Sequence, residues 1–292
     1  MTSASESVLA NLGGPSTGTV DVGSSRVTYY DSVAEHPGRV PLVLVHGTGG
    51  STALHFRFLF PMLATAQRVI AIDLDTPAGV LPEEGPARYA EQVAAVVEQV
   101  VPGRPVALAG YSLGAVVVTA VAGTRPELVD KLVLMAGWLK TTRGQLLRNE
   151  VWLALHKTGD FDTLGRYMTY CAFSDVFLRL RTSAEVERIV AGVATGDATR
   201  AQMEMNRTVD LTHLAPRVEC PTLIVAGTDD QMTPRRQAKA LFGAIRDARY
   251  TEVTAGHAMV VERASELVHL LSSFNEAPDR HPAGSVLPAR RP

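Results

Sequence analysis

Gly110-Tyr111-Ser112-Leu113-Gly114 decides the reading of this 292-residue chain. The pentapeptide follows an apolar run, Pro105 to Ala109, and precedes a helix-like run, Ala115 to Gly123. A G-x-S-x-G between a strand and a helix is a sharp turn that aims the serine hydroxyl out of the end of a sheet. The turn forces the serine toward positive φ. Glycines two residues before and two after leave room for it.

A hydroxyl is a weak nucleophile at its free pKa, so such a serine needs a base, and the base needs an orienting acid. Downstream, Pro221 precedes the apolar run Thr222 to Ala226, which reads as a buried strand. It leads into Gly227-Thr228-Asp229-Asp230-Gln231-Met232-Thr233-Pro234, so both Asp229 and Asp230 sit in the loop after that strand. Arg249 to Val253 reads as another strand, followed by Ala255-Gly256-His257. Ser112, the acidic pair and His257 therefore all follow expected strands. The carboxyl edge of an open α/β sheet is where ligands bind.

Four ordered signatures now stand together: His46-Gly47 after a strand, Gly110 to Gly114, the G-x-x-D-x-x-x-P segment from Gly227 to Pro234, and Ala255-Gly256-His257. They span roughly residues 40 to 260, and in order and spacing the chain resembles the α/β-hydrolase superfamily, in its branch of compact esterases with a helical cap. The resemblance implies a mostly parallel, doubly wound, eight-stranded sheet with an inserted helical cap. It implies Ser112 as nucleophile, His257 as general base and acid, and Asp230 as the orienting acid. Asp230 is preferred over Asp229 because it lies three residues after Gly227 and four before Pro234, as in the family pattern.

His46-Gly47-Thr48-Gly49-Gly50 follows the apolar run Val40 to Val45. In this fold the loop after that strand gives one oxyanion N–H and the residue after the nucleophile gives the other. The backbone N–H groups of Thr48 and Leu113 are thereby nominated. His46 reads as a residue that braces the loop. Substrate-lining candidates are Trp138 after the strand at the cap junction, Met259 two residues past the base, His55 in the helix after the oxyanion loop, and Tyr111.

Composition fits an enzyme of one α/β domain with an insert. Apolar residues make up 46% and charged residues 20% of the chain, which argues against a disordered scaffold. A formal net charge of −2 gives no reason to expect nucleic acid or an anionic membrane surface. No apolar run reaches the roughly 20 residues that span a bilayer. Met1 to Ser16 lacks the basic and apolar regions of a signal peptide, so a cytoplasmic location is expected. Cys171 and Cys220 are too few for a disulfide framework. His156, His213 and His269 lack ligand-like spacing, and neither metal nor other cofactor is expected.

The coarse organisation divides the chain into a first core segment, 1–137, with residues 1–16 read as flexible, then a helical cap, 138–215, and a second core segment, 216–275. Residues 276–292, rich in Pro and Arg, read as a disordered tail. Alternation from Thr19 to Asp31 predicts antiparallel edge strands, and a helix is expected from about Thr52 to Ala66. Helical patterns fill the insert at Gln145–Lys157, Phe161–Tyr170, Ala184–Val193 and Thr199–Val209. The stretch Leu74 to Pro86 departs from the Gly-x-Gly-x-Ser that relatives of this kind usually carry.

The expected reaction is cleavage of an ester or thioester of a small to medium, largely apolar substrate, with no cofactor. Ala-, Val- and Arg-rich usage suggests a high-GC bacterium and a tailoring step in specialised metabolism. The partner is a small molecule, free or as a carrier-bound acyl group. An acyltransferase with the same triad, and a non-covalent lyase, cyclase or carbon–carbon bond hydrolase, remain open alternatives, because one fold hosts many chemistries.

Overall fold

The computed structural model describes residues 14–33, 36, 38–76 and 82–288. Residues 1–13 of the stretch read as flexible, 77–81 of the atypical loop, and 289–292 of the tail lie outside the described residues. Eight strands form one sheet: β1 (Ser16–Val22), β2 (Ser25–Asp31), β3 (Leu42–Val45), β4 (Val69–Asp73), β5 (Val106–Tyr111), β6 (Val129–Met135), β7 (Thr222–Gly227) and β8 (Ala248–Val253). Their spatial order is β1-β2-β4-β3-β5-β6-β7-β8. The pairs β1–β2 and β2–β4 are antiparallel, and every pair from β4 through β8 is parallel.

The central strands are apolar on both faces. Leu-Val-Leu-Val of β3 is buried throughout, as a parallel sheet covered by helices on both sides requires. The edge pair β1–β2 alternates instead, with Val20 and Val27 turned inward. Two apolar clusters line the two faces of the sheet, one containing Val43, Val116 and Ile224, the other Leu42, Leu44 and Val225.

The expected helix over 52–66 is two helices, α1 (Thr52–His55) and α2 (Leu59–Ala64). Pro61 explains the break. It offers no N–H to the carbonyl of Arg57 and its ring collides with it, so it is accommodated only in the first turn of a new helix. Next come α3 (Gly85–Val100) and α4 (Leu113–Thr124). Every residue of α4 from Leu113 to Gly123 is buried, which is why this helix is apolar all round.

Five helices stand between β6 and β7: α5 (Arg143–Thr158), α6 (Phe161–Ala172), α7 (Asp175–Arg179), α8 (Ser183–Ala191) and α9 (Asp197–Met205). Thr182 and Glu185 cap α8 reciprocally, Thr182 N–H donating to Glu185 Oε2 at 2.8 Å and Glu185 N–H to Thr182 Oγ1 at 3.3 Å. The base of the insert is closed by a bridge between Lys140 and Asp210 and by their 2.6 Å ion pair. Its own small core is Trp152, Leu164 and Met203. The chain then continues through α10 (Arg235–Ala244), α11 (Met259–Glu262) and α12 (Ala264–Glu276).

The tail is a correction to the sequence reading. Residues 277–288 are ordered along β8, with Tyr250 N–H donating to Ser285 O at 3.0 Å and Leu287 N–H to Tyr250 O at 2.7 Å. Arg249 Nε donates to His281 O at 2.7 Å. Composition alone misses this because the tail needs no core of its own: an edge strand presents unpaired backbone groups that any extended segment can satisfy. Truncation before Pro282 should therefore lower stability by about 1–3 kcal/mol, from the loss of a few net hydrogen bonds. Thermal melting of the truncated and full chains tests this, and equal melting temperatures would contradict it.

Candidate active site

The carboxyl ends of β3, β5, β6, β7 and β8 converge on one edge of the sheet, and the candidate residues leave from it. Ser112 follows β5 with φ 54° and ψ −117°. Its N–H donates to Met135 O at 2.8 Å, fastening the turn to β6. Gly114 is obligatory here, because a Cβ at that position would lie 2.0 Å from Val45 O. Gly47 keeps the neighbouring loop tight against the turn, since a Cβ on it would lie 3.0 Å from Ser112 Cβ.

Ser112 Oγ lies 2.9 Å from His257 Nε2, and His257 Nδ1 lies 2.8 Å from Asp230 Oδ2. All three residues are buried. Asp230 Oδ1 accepts from the N–H groups of Met232 and Thr233, both at 2.8 Å, and Thr233 Oγ1 stands 2.7 Å from Asp230 Oδ2 and 3.0 Å from Ala136 O. An acceptor held this way by donors leaves the imidazole a single orientation: Nδ1–H donates to Asp230 and Nε2 accepts from Ser112. Asp229 is turned elsewhere, its Oδ2 3.1 Å from Thr228 Oγ1. Thr233 was missed in the sequence; an acid followed three residues later by Thr at a helix entrance is the side-chain-to-backbone turn pattern that would have found it.

Among the described residues no partner is found for the N–H groups of Thr48 and Leu113. Thr48 is held from the insert. Asn206 Nδ2 donates to Thr48 Oγ1 at 2.9 Å, and Gln202 Oε1 accepts from Gly49 N–H at 2.8 Å. His46 braces the same loop: its Nε2 accepts from Leu74 N–H at 3.0 Å, which leaves Nδ1 to donate to Gly47 O at 2.8 Å.

The other candidates divide. Trp138 is buried, lines the cavity and donates its Nε1–H to Thr141 Oγ1 at 2.9 Å. Tyr111 also lines the cavity, but its hydroxyl is engaged with His257 O at 2.9 Å, and burial raises it well above the ordinary tyrosine range. His55 lines the cavity with its ring 5.0 Å from that of Tyr111, and its Nδ1 accepts from Gly47 N–H at 3.1 Å. Met259 is corrected. It is fully buried in the apolar cluster with Leu267 and Val253 and is not part of the cavity wall. It begins α11, whose helical turn carries Ala258 and Val261 to the cavity and Met259 to the core. Met168, Met203 and Met232 line the cavity instead.

The cavity measures about 840 Å³ and reaches from Ser112 and His257 across to α5, α6, α8 and α9 of the insert. Among the described residues, no group of three or more His, Cys, Asp or Glu is arranged to hold a metal ion. None of the described helices is long and apolar enough to cross a membrane.

The model of a family described as the alpha/beta hydrolase family matches residues 42–270. The chain belongs to the α/β-hydrolase family. It is 33% identical over 262 residues to a pyrrolizixenacetamide deacetylase of Xenorhabdus hominickii, covering 87% of this chain and 96% of that protein. It is 26% identical over 261 residues to a pimeloyl-[acyl-carrier protein] methyl ester esterase of Neisseria meningitidis, covering 84% of this chain and 79% of that one. In fold it matches the enol-lactonase from Burkholderia xenovorans LB400, with a TM-score of 0.75 at 18% identity, covering 88% of this chain and 99% of that chain. The family makes the chain a hydrolase, and the enol-lactonase shares its fold.

Burial, with His46 and His257 nearby, pulls the His55 imidazole down to about 3. It therefore stays neutral beside His257 and adds no positive charge there. The unfolded chain binds this proton near pH 6.5 and the folded one only near 3, so the stabilising effect is complete above pH 6.5 and lost as pH falls toward 3. His55→Gln should make the acid slope of stability shallower between pH 6 and 4, by up to about 1.4 kcal/mol per pH unit. Denaturant unfolding across that range measures it, and an unchanged slope would refute the assignment.

Proposed function

We propose that this α/β-hydrolase cleaves a carboxylic ester or thioester of a small to medium substrate through an acyl-enzyme on Ser112. His257 Nε2 takes the proton of Ser112 Oγ as that oxygen attacks the carbonyl carbon. The negative charge on the carbonyl oxygen is received by the N–H groups of Thr48 and Leu113, each contributing roughly 3–4 kcal/mol to lowering the barrier. The imidazolium then protonates the leaving oxygen or sulfur. Water, deprotonated by His257, releases the acyl group by the same path in reverse. Asp230 holds the ring in the tautomer that leaves Nε2 as acceptor and balances the charge that forms on it.

The observation that supports this reading is the unbroken chain from Ser112 Oγ through His257 to Asp230, at 2.9 and 2.8 Å, beside two unengaged N–H groups. Strain at Ser112 supports it as well, because a non-glycine residue at φ 54° costs energy unless its surroundings compel it. The esterase named among the relatives acts on an acyl group attached to a carrier protein, and a carrier-bound acyl group is a form the substrate takes in this proposal. The deacetylase relative favours a second reading, removal of an acetyl group from an acetamide by the same steps.

Ser112→Ala should abolish turnover of 4-nitrophenyl esters while leaving the melting temperature near wild type. Asp230→Asn should lower kcat by about 10³- to 10⁴-fold through the wrong imidazole tautomer. Asp229→Asn should change it by less than threefold. Steady-state kinetics on the three variants decide the matter: wild-type rates in Ser112→Ala would overturn covalent catalysis, and a larger loss at Asp229 than at Asp230 would overturn the assignment of the acid.

A further inference from the structure

Arg148 on α5 lines the same cavity as Ser112, and nothing in the proposed chemistry uses it. Its Nε and Nη1 are buried without a hydrogen-bond partner, and only Nη2 is engaged, with Asn149 Oδ1 at 2.9 Å. None of the ion pairs among the described residues includes it. The one buried carboxylate of the site, Asp230, is taken up by His257, Thr233 and Met232. A guanidinium does not lose its charge by burial, so Arg148 stands in the wall as a cation with unused donors.

The surroundings repeat the pattern. Thr169 Oγ1 on α6 and Asn206 Oδ1 after α9 are likewise buried without a partner, and both residues line the cavity. The charged side chains of the wall are Arg57, Arg148, Arg181, Arg188 and Glu185, so the cavity is cationic in a chain whose net charge is −2. Arg57 and Arg181 lie over the rings of Phe58 and Phe177, at 4.7 and 4.1 Å, and Glu185 is occupied in capping Thr182. Arg148 is the arginine whose unused donors are buried.

We propose that Arg148 binds a carboxylate carried by the substrate, so that the enzyme selects acyl compounds bearing an acidic group away from the bond that is cleaved. Nη2 carries two hydrogens and Asn149 takes one, so the other pairs with the unused N–H of Nε or of Nη1 as a planar fork that matches the two oxygens of a carboxylate. The ligand brings the counter-charge that the protein does not provide. Selectivity arises because a neutral substrate leaves those donors unpaired in a buried site. This inference rests on the hydrolase reading for its substrate but not for its binding step.

The test compares 4-nitrophenyl monoesters of glutaric and adipic acid with 4-nitrophenyl pentanoate and hexanoate, their chain-matched neutral counterparts. In the wild type, kcat/KM for the acidic esters should exceed that for the neutral ones by roughly 10- to 100-fold. Arg148→Met should bring this ratio to about 1, and Arg148→Lys, which keeps the charge without the fork, should give an intermediate ratio. A structural role for Arg148 would lower both rates together and keep the ratio, and that result, or a wild-type ratio of 1 or below, would overturn the proposal. Calorimetric titration of adipate separates the two readings. Ser112→Ala should bind adipate and Ser112→Ala/Arg148→Met should not, even if neither ester is turned over, in which case hydrolysis fails and the anion site stands. Turnover of both esters without a ratio, and without adipate binding, would remove the anion site and leave hydrolysis.

Discussion

The backbone of Ser112, held at φ 54° and ψ −117°, is the constraint on which the site depends. Such a conformation costs on the order of 1–3 kcal/mol and persists only when the surroundings compel it. Here they do. The N–H of Ser112 is tied to β6, Gly114 fits against the carbonyl of Val45 where no side chain fits, and α4 is buried from Leu113 to Gly123. The turn is sharp because β5 and α4 are both fixed in the core, and the hydroxyl is exposed to the cavity because the turn is sharp. The energy of the sheet is thereby spent on the direction of one side chain.

The second element of the arrangement is the insert, which is bonded to both loops of the site. From α9, Gln202 accepts from Gly49 N–H and Asn206 donates to Thr48. From the end of α6, Ala172 O accepts from Ala258 N–H at 2.8 Å, beside His257. Glu262 accepts from Ser174 N–H at 2.9 Å and from Gly256 N–H at 3.2 Å, joining the insert to the residue before His257. The helices that shape the substrate cavity therefore also set the position of the proposed oxyanion donors and base. Selectivity and catalytic geometry are coupled through hydrogen bonds of ordinary length.

How much of this could be read from the chain follows from which signals are local. Ser112, His257 and the strands around them are legible because an apolar run followed by a glycine-rich turn is a local pattern, and the structure brings Ser112, Asp230 and His257 within hydrogen-bonding reach of one another. The broken helix at Pro61 was also local, but the apolar spacing from Thr52 to Ala66 masked it. Three things were not legible, each because it depends on contacts between distant segments. Gln202 and Asn206 look like ordinary helix residues until α9 is placed against the loop after β3. The strand-like tail owes its order to the free edge of β8. Nothing local marks Arg148 within its helical pattern, and only the fold buries its donors. Met259 failed for the complementary reason: proximity in sequence to His257 placed it near the site, and the turn of α11 carried its side chain away.

The central claim is that Ser112 is an activated nucleophile beside two aimed N–H donors. Intact-protein mass spectrometry after brief exposure to a fluorophosphonate tests it most directly, because that reagent needs an activated serine and a place for its oxygen. The account predicts a single adduct on the wild type, located by peptide mapping at Ser112, and none on Ser112→Ala. A folded wild-type protein that gains no adduct, or gains one equally in Ser112→Ala, would contradict it.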